Sequence, residues 1–559
     1  MPQAMRESAA APAAPGEAVG PLERGLTVLR VMAGDPGSRH RASDLARATG
    51  LARSTIDRIA ITLARLGYLR TEGRDLLLAP RLMELGNAYL ASCGLPDVLE
   101  PYAVVLADEL DESVSIAVPD GDGVRFITQA TRRRAMSLAF RIGDLLPAER
   151  CAPGAVFAGE WDEAGRGRWL ARRREDPLDT AFPAVPPRAE LSPPEAVEAA
   201  FDARVREAAG LGWALDDQFI EPGLVAVAHA VRDPAGTAVC ALSVVSHTSR
   251  HSARSLREHA LPRLRRAAAA MEKALRTPPR PGPPLAAPEA ADNGPKAELG
   301  PEFLQSLARG LAVLRALGSA RGGLGLTAAA GAAGLPRASA RRALITLEYL
   351  GYVRADGGVF TLLPRVLELG YAQLSRLSFG EIVRPHLAEL TRQVHESASI
   401  AVLDGDDICY VERVPTSRIM SVDITVGTRF AAYATSMGRV LLAGLPAPEQ
   451  AARLARIRFE PLTRHTVTTA DALADIIETV GRNGYALVDE ELEDGLRSAA
   501  MPLRDRLGHT VAAVNVSQHA GRATRQEFLE TVLPPLAVAV ARIEADLAVA
   551  SERQHIPAT

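Results

Sequence analysis

Cysteine, lysine and long apolar runs are what this 559-residue chain has least of. Its four cysteines (Cys93, Cys151, Cys240, Cys409) lie far apart with no CxxC pair. Neither a zinc site nor a disulfide framework is expected, and a reducing, cytoplasmic setting fits. No run of 18 or more apolar residues occurs, so no membrane-spanning helix is expected. No P-loop, HExxH or GxSxG motif is present, which leaves no support for the enzymes built on them. Lysine occurs only at Lys273 and Lys296, and arginine carries the rest of the positive charge. Together with the abundant alanine, this reads as a GC-rich genome, so the arginine count says nothing by itself about phosphate recognition. A net charge of −3 likewise gives no global sign of a nucleic-acid partner.

What the chain does have is itself, twice. ERGLTVLR at 23–30 returns as ARGLAVLR at 308–315, LGYLR at 66–70 as LGYVR at 350–354, and PRLMELG at 80–86 as PRVLELG at 364–370. ESVSIAVPDGDG at 112–123 returns as ESASIAVLDGDD at 396–407. The offset is 285 for the first pair and 284 for the others; by GLGWALDDQ (210–218) and RNGYALVDE (482–490) it is 272. The first copy therefore carries about a dozen extra residues, expected between Trp161 and Pro194. Order at this range marks a tandem duplication. Between the copies, residues 277–300 hold seven prolines, a density that favours an extended linker.

The front of each copy reads as a helix-turn-helix. In ASDLARATGLARSTIDRIAITLARLGYLR (42–70), Ser43 is the expected N-cap, Gly50 the turn, and a second helix starts near Arg53. Ile56, Ile59, Leu63 and Leu66 share one face, leaving Arg53, Ser54, Thr55 and Arg58 outward. In the second copy Thr327 is the expected cap and Gly334 the turn, with Ala340, Ala343, Leu347 and Leu350 inward and Arg337, Ser339, Arg341 and Arg342 outward. The GY and Gly/Asp turn that follow each read as a wing, so both copies have the winged-helix shape that places a second helix in the DNA major groove. An amphipathic helix pair with solvated arginines would look similar; two copies with the same plan favour DNA.

The back of each copy reads as α+β. SIAVLDGDDICYVERV (399–414) alternates about a tight turn, as a β-hairpin does. Its acidic turn lacks the later carboxylates of a calcium loop. HTVAAVNVSQ (509–518) reads as a further strand and 526–548 as closing helices, giving an antiparallel sheet flanked by helices.

ARGLAVLR, LGYVR, PRVLELG, RIMSV, YATSMGRVLLA, DEELEDGLRS and VNVS, in that order, resemble the IclR family of bacterial transcription regulators. RIMSV with YATSMGR is most similar to the PcaR, PcaU and PobR branch, which regulates protocatechuate and 4-hydroxybenzoate breakdown. The resemblance spans about 301–550 and, more loosely in its sensor, 20–275. It implies two tandem units, each a winged helix-turn-helix followed by a GAF-like effector domain, action as a dimer or tetramer, and a small carboxylate bound between the sheet and the YATSMGR helix. Typical members have one such unit.

A carboxylate needs donors. Thr435 and Ser436, with the N–H groups of Met437 and Gly438, would supply them at a helix N-terminus. Asn515 and Ser517 face one side of a strand. By resemblance that side faces the pocket, with Arg497 and Ser498 completing it; pairing of Arg497 with Asp489, Glu490 or Glu493 is the equal alternative. Asp489 and Met420 join the candidate set, Met420 as pocket wall or core. In the first copy Cys151, Ala152, Pro153, Val225, Ala226, Ser243 and Val245 stand at these places. Buried polar groups left unpaired cost about 1–3 kcal/mol each, so the first sensor is expected to be structural or to read a more apolar ligand.

The domain map expected is a disordered leader at 1–20 (not a signal peptide), winged helices at 21–82 and 301–366, effector domains at 83–276 (degenerate) and 367–550, the linker at 277–300 and a tail at 551–559. The function expected is a DNA-binding regulator responding to a small aromatic or dicarboxylic acid in aromatic-acid catabolism. Its partners are an operator duplex, the acid and itself, as an intramolecular pseudo-dimer or a pair of chains, with no membrane, no metal, no cofactor and no catalytic residue. The alternatives are a sensor scaffold without DNA binding and a hydrolase with Ser436 as nucleophile.

Overall fold

In the first head the apolar spacing produces α1 (Gly20–Gly34), α2 (Ala42–Thr49) and α3 (Arg53–Arg65). Gly50 ends α2 at φ 69°, a left-handed conformation that glycine takes without strain and that turns the chain into α3. Ile56, Ile59 and Leu63 are fully buried. Strands β1 (His40–Arg41), β2 (Leu69–Glu72) and β3 (Asp75–Leu78) form the wing, with β3 central and all pairs antiparallel. The first sensor continues with α4 (Met83–Cys93), α5 (Leu95–Leu110), β4 (Ser113–Asp120), β5 (Gly123–Ala130) and β6 (Leu145–Pro147). Then come α6 (Ala152–Ala158), α7 (Glu163–Glu175), α8 (Pro194–Leu211), β7 (Trp213–Asp217), β8 (Leu224–Arg232), β9 (Ala238–His247) and α9 (Ala253–Leu275). Its six-stranded antiparallel sheet has the order β6-β5-β4-β9-β8-β7.

The second head repeats the first with α10 (Gln305–Leu317), β10 (Leu324–Gly325), α11 (Leu326–Ala332), α12 (Arg337–Tyr349), β11 (Val353–Asp356) and β12 (Val359–Leu362). Neither expected cap forms. Arg41 and Gly325 occupy the N-cap positions without a side-chain hydrogen bond, and Ser43 and Thr327 are each the second helical residue. The cause is the wing: β1 and β10 run directly into the helices, so the last extended residue is fixed by strand pairing. The stretch LELGYAQL (367–374) does not form one continuous helix. Gly370 sits at φ 108°, leaving a 3₁₀ turn at Pro364–Glu368 and the short α13 (Tyr371–Leu374).

The structure is a computed structural model describing residues 16–34, 39–132, 140–188, 193–276, 300–416, 424–552 and 556. Most of the expected leader, nearly all of the linker, part of the tail and Met420 lie outside the described residues. The chain forms two compact units, Met1–Ser375 and Arg376–Thr559, which do not coincide with the tandem halves. The reason lies within the first unit, where the two heads pack on each other reciprocally. A Cβ on Gly25 would lie 2.4 Å from Leu307, and one on Gly310 2.4 Å from Leu22. Leu304 N donates to Thr62 Oγ1 and Val19 N to Thr346 Oγ1, both at 2.9 Å. Every one of these contacts is matched by its counterpart 284 or 285 residues away, so a pseudo-two-fold axis relates the heads.

The second unit contains α14 (Phe379–Val394), β13 (Ser397–Asp404), β14 (Asp407–Val414), β15 (Arg429–Ala431), α15 (Ser436–Ala443), α16 (Ala447–Leu454), α17 (Ala470–Asn483), β16 (Ala486–Asp489), β17 (Leu496–Arg504), β18 (Thr510–His519) and α18 (Arg525–Ala550). One long helix, not several, closes it. Ser378 with Glu381 and Thr524 with Glu527 form capping boxes that start α14 and α18. The sheet order β15-β14-β13-β18-β17-β16 repeats that of the first sensor. Val383, Leu387, Leu536 and Val540 cover one sheet face, and Met437, Leu441, Leu473 and Ile477 the other. The extra residues of the first sensor lengthen α7 and α8 to 13 and 18 residues, against 8 and 14 in α16 and α17.

Candidate functional site

The outer faces of α3 and α12 carry the candidate DNA-contacting residues. Arg53, Ser54, Arg337, Arg341 and Arg342 are exposed, while Thr55, Arg58 and Ser339 are half-buried. Ser43 and Thr327 lie on the preceding helices, in the first turns of α2 and α11. The heads differ at one place the sequence reading passed over: Asp57 in α3 stands where α12 has Arg341, 284 residues on. Asp57 lies 3.9 Å from Arg53, whereas Arg341 is paired with Glu17.

In the second unit, β13, β14, β17 and β18 and the N-terminus of α15 enclose a cavity of about 570 Å³. Thr435, Ser436, Met437, Ser498, Asn515 and Ser517 line it, so six of the sequence candidates converge. Ser436 Oγ and Ser498 Oγ are 2.9 Å apart, and Asn515 Nδ2 donates to Ser517 Oγ at 2.9 Å. Asn515 Oδ1 is buried with no hydrogen-bond partner in the unliganded chain. A buried orphan of this kind costs about 1–3 kcal/mol, a deficit that a bound donor or water removes.

Three candidates, Arg497, Asp489 and Gly438, do not line the cavity, and for Arg497 it is the alternative of an ion pair that is found. Arg497 Nε donates to Asp489 Oδ1 at 2.7 Å and Nη2 to Oδ2 at 3.2 Å, so these two satisfy each other and neither lines the cavity. Successive residues of a strand point to opposite faces, and with Ser498 turned inward Arg497 cannot follow. Gly438 N–H is also unavailable, because it donates to the capping Thr435 Oγ1 at 3.0 Å.

Sequence reasoning missed Tyr410, Arg413, Phe430, Glu396 and Arg522, which also line the cavity. Arg413 brings a guanidinium to the wall, and burial pushes the Tyr410 hydroxyl up to about 12, keeping it a neutral phenol. Glu396 accepts from Arg522 Nη1 at 2.6 Å, and Glu112 pairs with Arg250 at 2.8 Å at the same place in the first sensor. That repeated acid–base pair was the available signal. Buried Arg439 was missed too: it forks onto Glu491 at 2.8 and 2.5 Å and donates to Tyr433 O, tying α15 to the acidic loop.

The first sensor keeps the strand register, with Ser115 opposite Ser243 as Ser399 is opposite Asn515. Its lining does not match. Where Tyr410, Ile424, Phe430, Thr435, Ser436, Ser498 and Ser517 face the cavity, the first sensor has Phe126, Phe140, Leu146, Cys151, Ala152, Ala226 and Val245, all members of one apolar core. Phe126 and Phe140 stack at 4.4 Å. Arg150, in place of cavity-lining Ala434, is held by Asp179 and the carbonyls of Phe219, Pro186 and Ile220.

Comparison with known proteins agrees with this division. The IclR helix-turn-helix domain matches at 21–73 and 306–357. The bacterial transcriptional regulator IclR C-terminal domain matches at 371–545 but only at 191–273 in the first copy. The Pca regulon regulatory protein of Pseudomonas putida is 43% identical over 240 residues, 43% of this chain and 82% of that protein. The chain belongs to the IclR family.

Another IclR relative, the p-hydroxybenzoate hydroxylase transcriptional activator of Acinetobacter baylyi, is 32% identical over 42% of this chain and 89% of its own length. A solved transcriptional regulator from Rhodococcus sp. RHA1 is 52% identical over 44% of this chain and 99% of that one, with a TM-score of 0.42. This IclR-family chain is thus a transcriptional regulator with two DNA-binding heads, and its relatives are regulators, not enzymes. The stretch of the first copy before residue 191, which the C-terminal family model leaves unmatched, contains the Cys151-Ala152-Pro153 replacement.

Proposed function

We propose that this regulator controls genes of aromatic-acid breakdown, and that its signal is one small aromatic carboxylate held in the second effector domain. The observation that carries the reading is the cavity itself: Ser436, Ser498, Asn515 and Arg413 offer hydroxyls, an amide and a guanidinium in a partly apolar chamber of about 570 Å³. A ring acid the size of p-hydroxybenzoate needs a combination of this kind, with donors at one end and apolar wall around the ring. The relatives named for the Pca regulon and for p-hydroxybenzoate hydroxylase point to the same chemical class. The first sensor, with an apolar core in place of the donors, serves as a structural partner. The docked heads act as one intramolecular pseudo-dimer, and since α3 and α12 differ, the operator is an imperfect palindrome or a direct repeat.

The test is titration of the full chain with p-hydroxybenzoate and other aromatic acids by calorimetry, with a gel shift on the chain's own upstream DNA. One acid bound per chain, altering the shift, supports the reading. Two equivalent acids per chain, or binding that survives Ser436→Val with Asn515→Leu, overturns it.

A further inference from the structure

The two heads meet beside a cleft of about 450 Å³ that neither forms alone. Recognition helix α3 contributes Thr55 and Arg58, α1 contributes Arg24, and the second head contributes Arg309 with Gln305 and Ser306 from the first turn of α10. Arg24 and Arg309 are the same residue of the repeat, 285 apart, and they reach one opening because α1 packs on α10 across the pseudo-two-fold axis. Among the described residues no carboxylate lines the cleft, and neither Arg24 nor Arg309 is held in an ion pair. The N-cap of α10, Leu304, makes no side-chain cap; Gln305 N and Leu307 N donate to the carbonyls of Phe303 and Leu304, and the positive end of the dipole of this 13-residue helix lies beside the same space.

Two guanidinium groups outside any ion pair, Arg24 and Arg309, facing one opening beside a helix N-terminus suit an anion. Because the cleft shares Thr55 and Arg58 with the outer face of the recognition helix, the anion it faces is the phosphodiester backbone. We propose that this cleft clamps the sugar-phosphate backbone of operator DNA between the two half-sites, with Arg24 and Arg309 as backbone-contacting residues outside the recognition helices. The proposal rests on the DNA-binding reading of the heads. A clamp built from both heads exists only while they are docked, so it adds affinity on any sequence and fixes the half-site spacing.

The experiment is a salt titration of binding to the chain's upstream DNA, wild type against Arg24→Gln/Arg309→Gln. Arg24 is exposed and Arg309 half-buried, and glutamine keeps an aliphatic stem, so the fold is preserved; a thermal melt verifies it. The double variant is expected to lose on the order of tenfold in affinity at about 0.1 M salt, equally on the operator and on an unrelated duplex. The slope of log K against log salt should shrink by about 1.8, or ~0.9 per lost phosphate contact. Neutral methylphosphonate linkages at the operator centre should weaken the wild type and leave the double variant unchanged. Equal affinity and slope for the two proteins, or equal weakening by methylphosphonates, overturns the clamp. Failure of the wild type to bind any duplex overturns the DNA-binding reading and the clamp with it.

Discussion

Asn87 and Tyr371 occupy the same place in the two repeats, and the Tyr371 hydroxyl donates to Asn87 Oδ1 at 3.0 Å. Residues related by a two-fold axis touch each other only next to that axis, so this bond marks where it passes. The contacts of Leu22, Gly25, Leu307 and Gly310 repeat the relationship along α1 and α10.

The head interface can be broken by one methyl group. Gly310→Ala places a Cβ 2.4 Å from Leu22, which is fully buried and has little room to yield. Overpacking of this kind costs about 1–3 kcal/mol. The expected outcome is weaker operator binding in a gel shift, with acid binding by the second effector domain unchanged in calorimetry.

Ser498 tests the cavity. Ser498→Ala removes the partner of Ser436 Oγ and one hydroxyl from the wall. A lost hydrogen bond of about 1 kcal/mol corresponds to roughly fivefold weaker binding of p-hydroxybenzoate, measurable by calorimetry, with unliganded DNA affinity unaltered.

Arg439 tests the frame of that cavity. Its guanidinium is buried and forked onto Glu491, so Glu491→Ala leaves a buried charge without its carboxylate. Removing one partner of such a pair costs about 3–5 kcal/mol. For a unit of this size, that is a drop of about 6–15 °C in its melting transition by calorimetry.

Asp216 makes the first sensor sensitive to pH. Burial pushes its carboxyl up to about 7, despite the Phe219 N–H that its Oδ1 accepts. Between about pH 4 and 7 the folded chain keeps a proton that the unfolded chain has released. Stability therefore falls as pH rises through that window, by roughly 1.4 kcal/mol per pH unit, and is level above it. Asp216→Asn is expected to flatten the dependence and to raise the melting temperature at pH 8, as read by thermal denaturation across pH 4–8.

The sequence made the heads and the hairpins legible, because each follows from local periodicity or from the repeat, whereas the convergence of Ser436, Asn515 and Ser517 on one pocket was implied by the family resemblance. For Arg497 the sequence left the pocket and an ion pair equally open; strand alternation, which turns Ser498 to the cavity, goes with the pair to Asp489. It misplaced the caps at Ser43 and Thr327 because the strand before each helix, not the helix alone, decides where coiling begins. Arg413 and Phe430 carried no local signal: both lie on strands paired with their neighbours in the chain, and which face of that hairpin meets the cavity depends on β13 pairing with the distant β18. The head interface was hidden for the same reason, since its glycines matter only through leucines almost 300 residues away.

Asp57 and Arg341 carry a genetic consequence. In a regulator made of two identical chains, any mutation in the reading helix is copied into both half-sites at once, and the operator must tolerate two changes together. With both helices encoded in one chain, a codon change alters a single half-site contact. The protein and its operator can therefore drift one step at a time, and Asp57 opposite Arg341 is a difference of the kind such a chain tolerates.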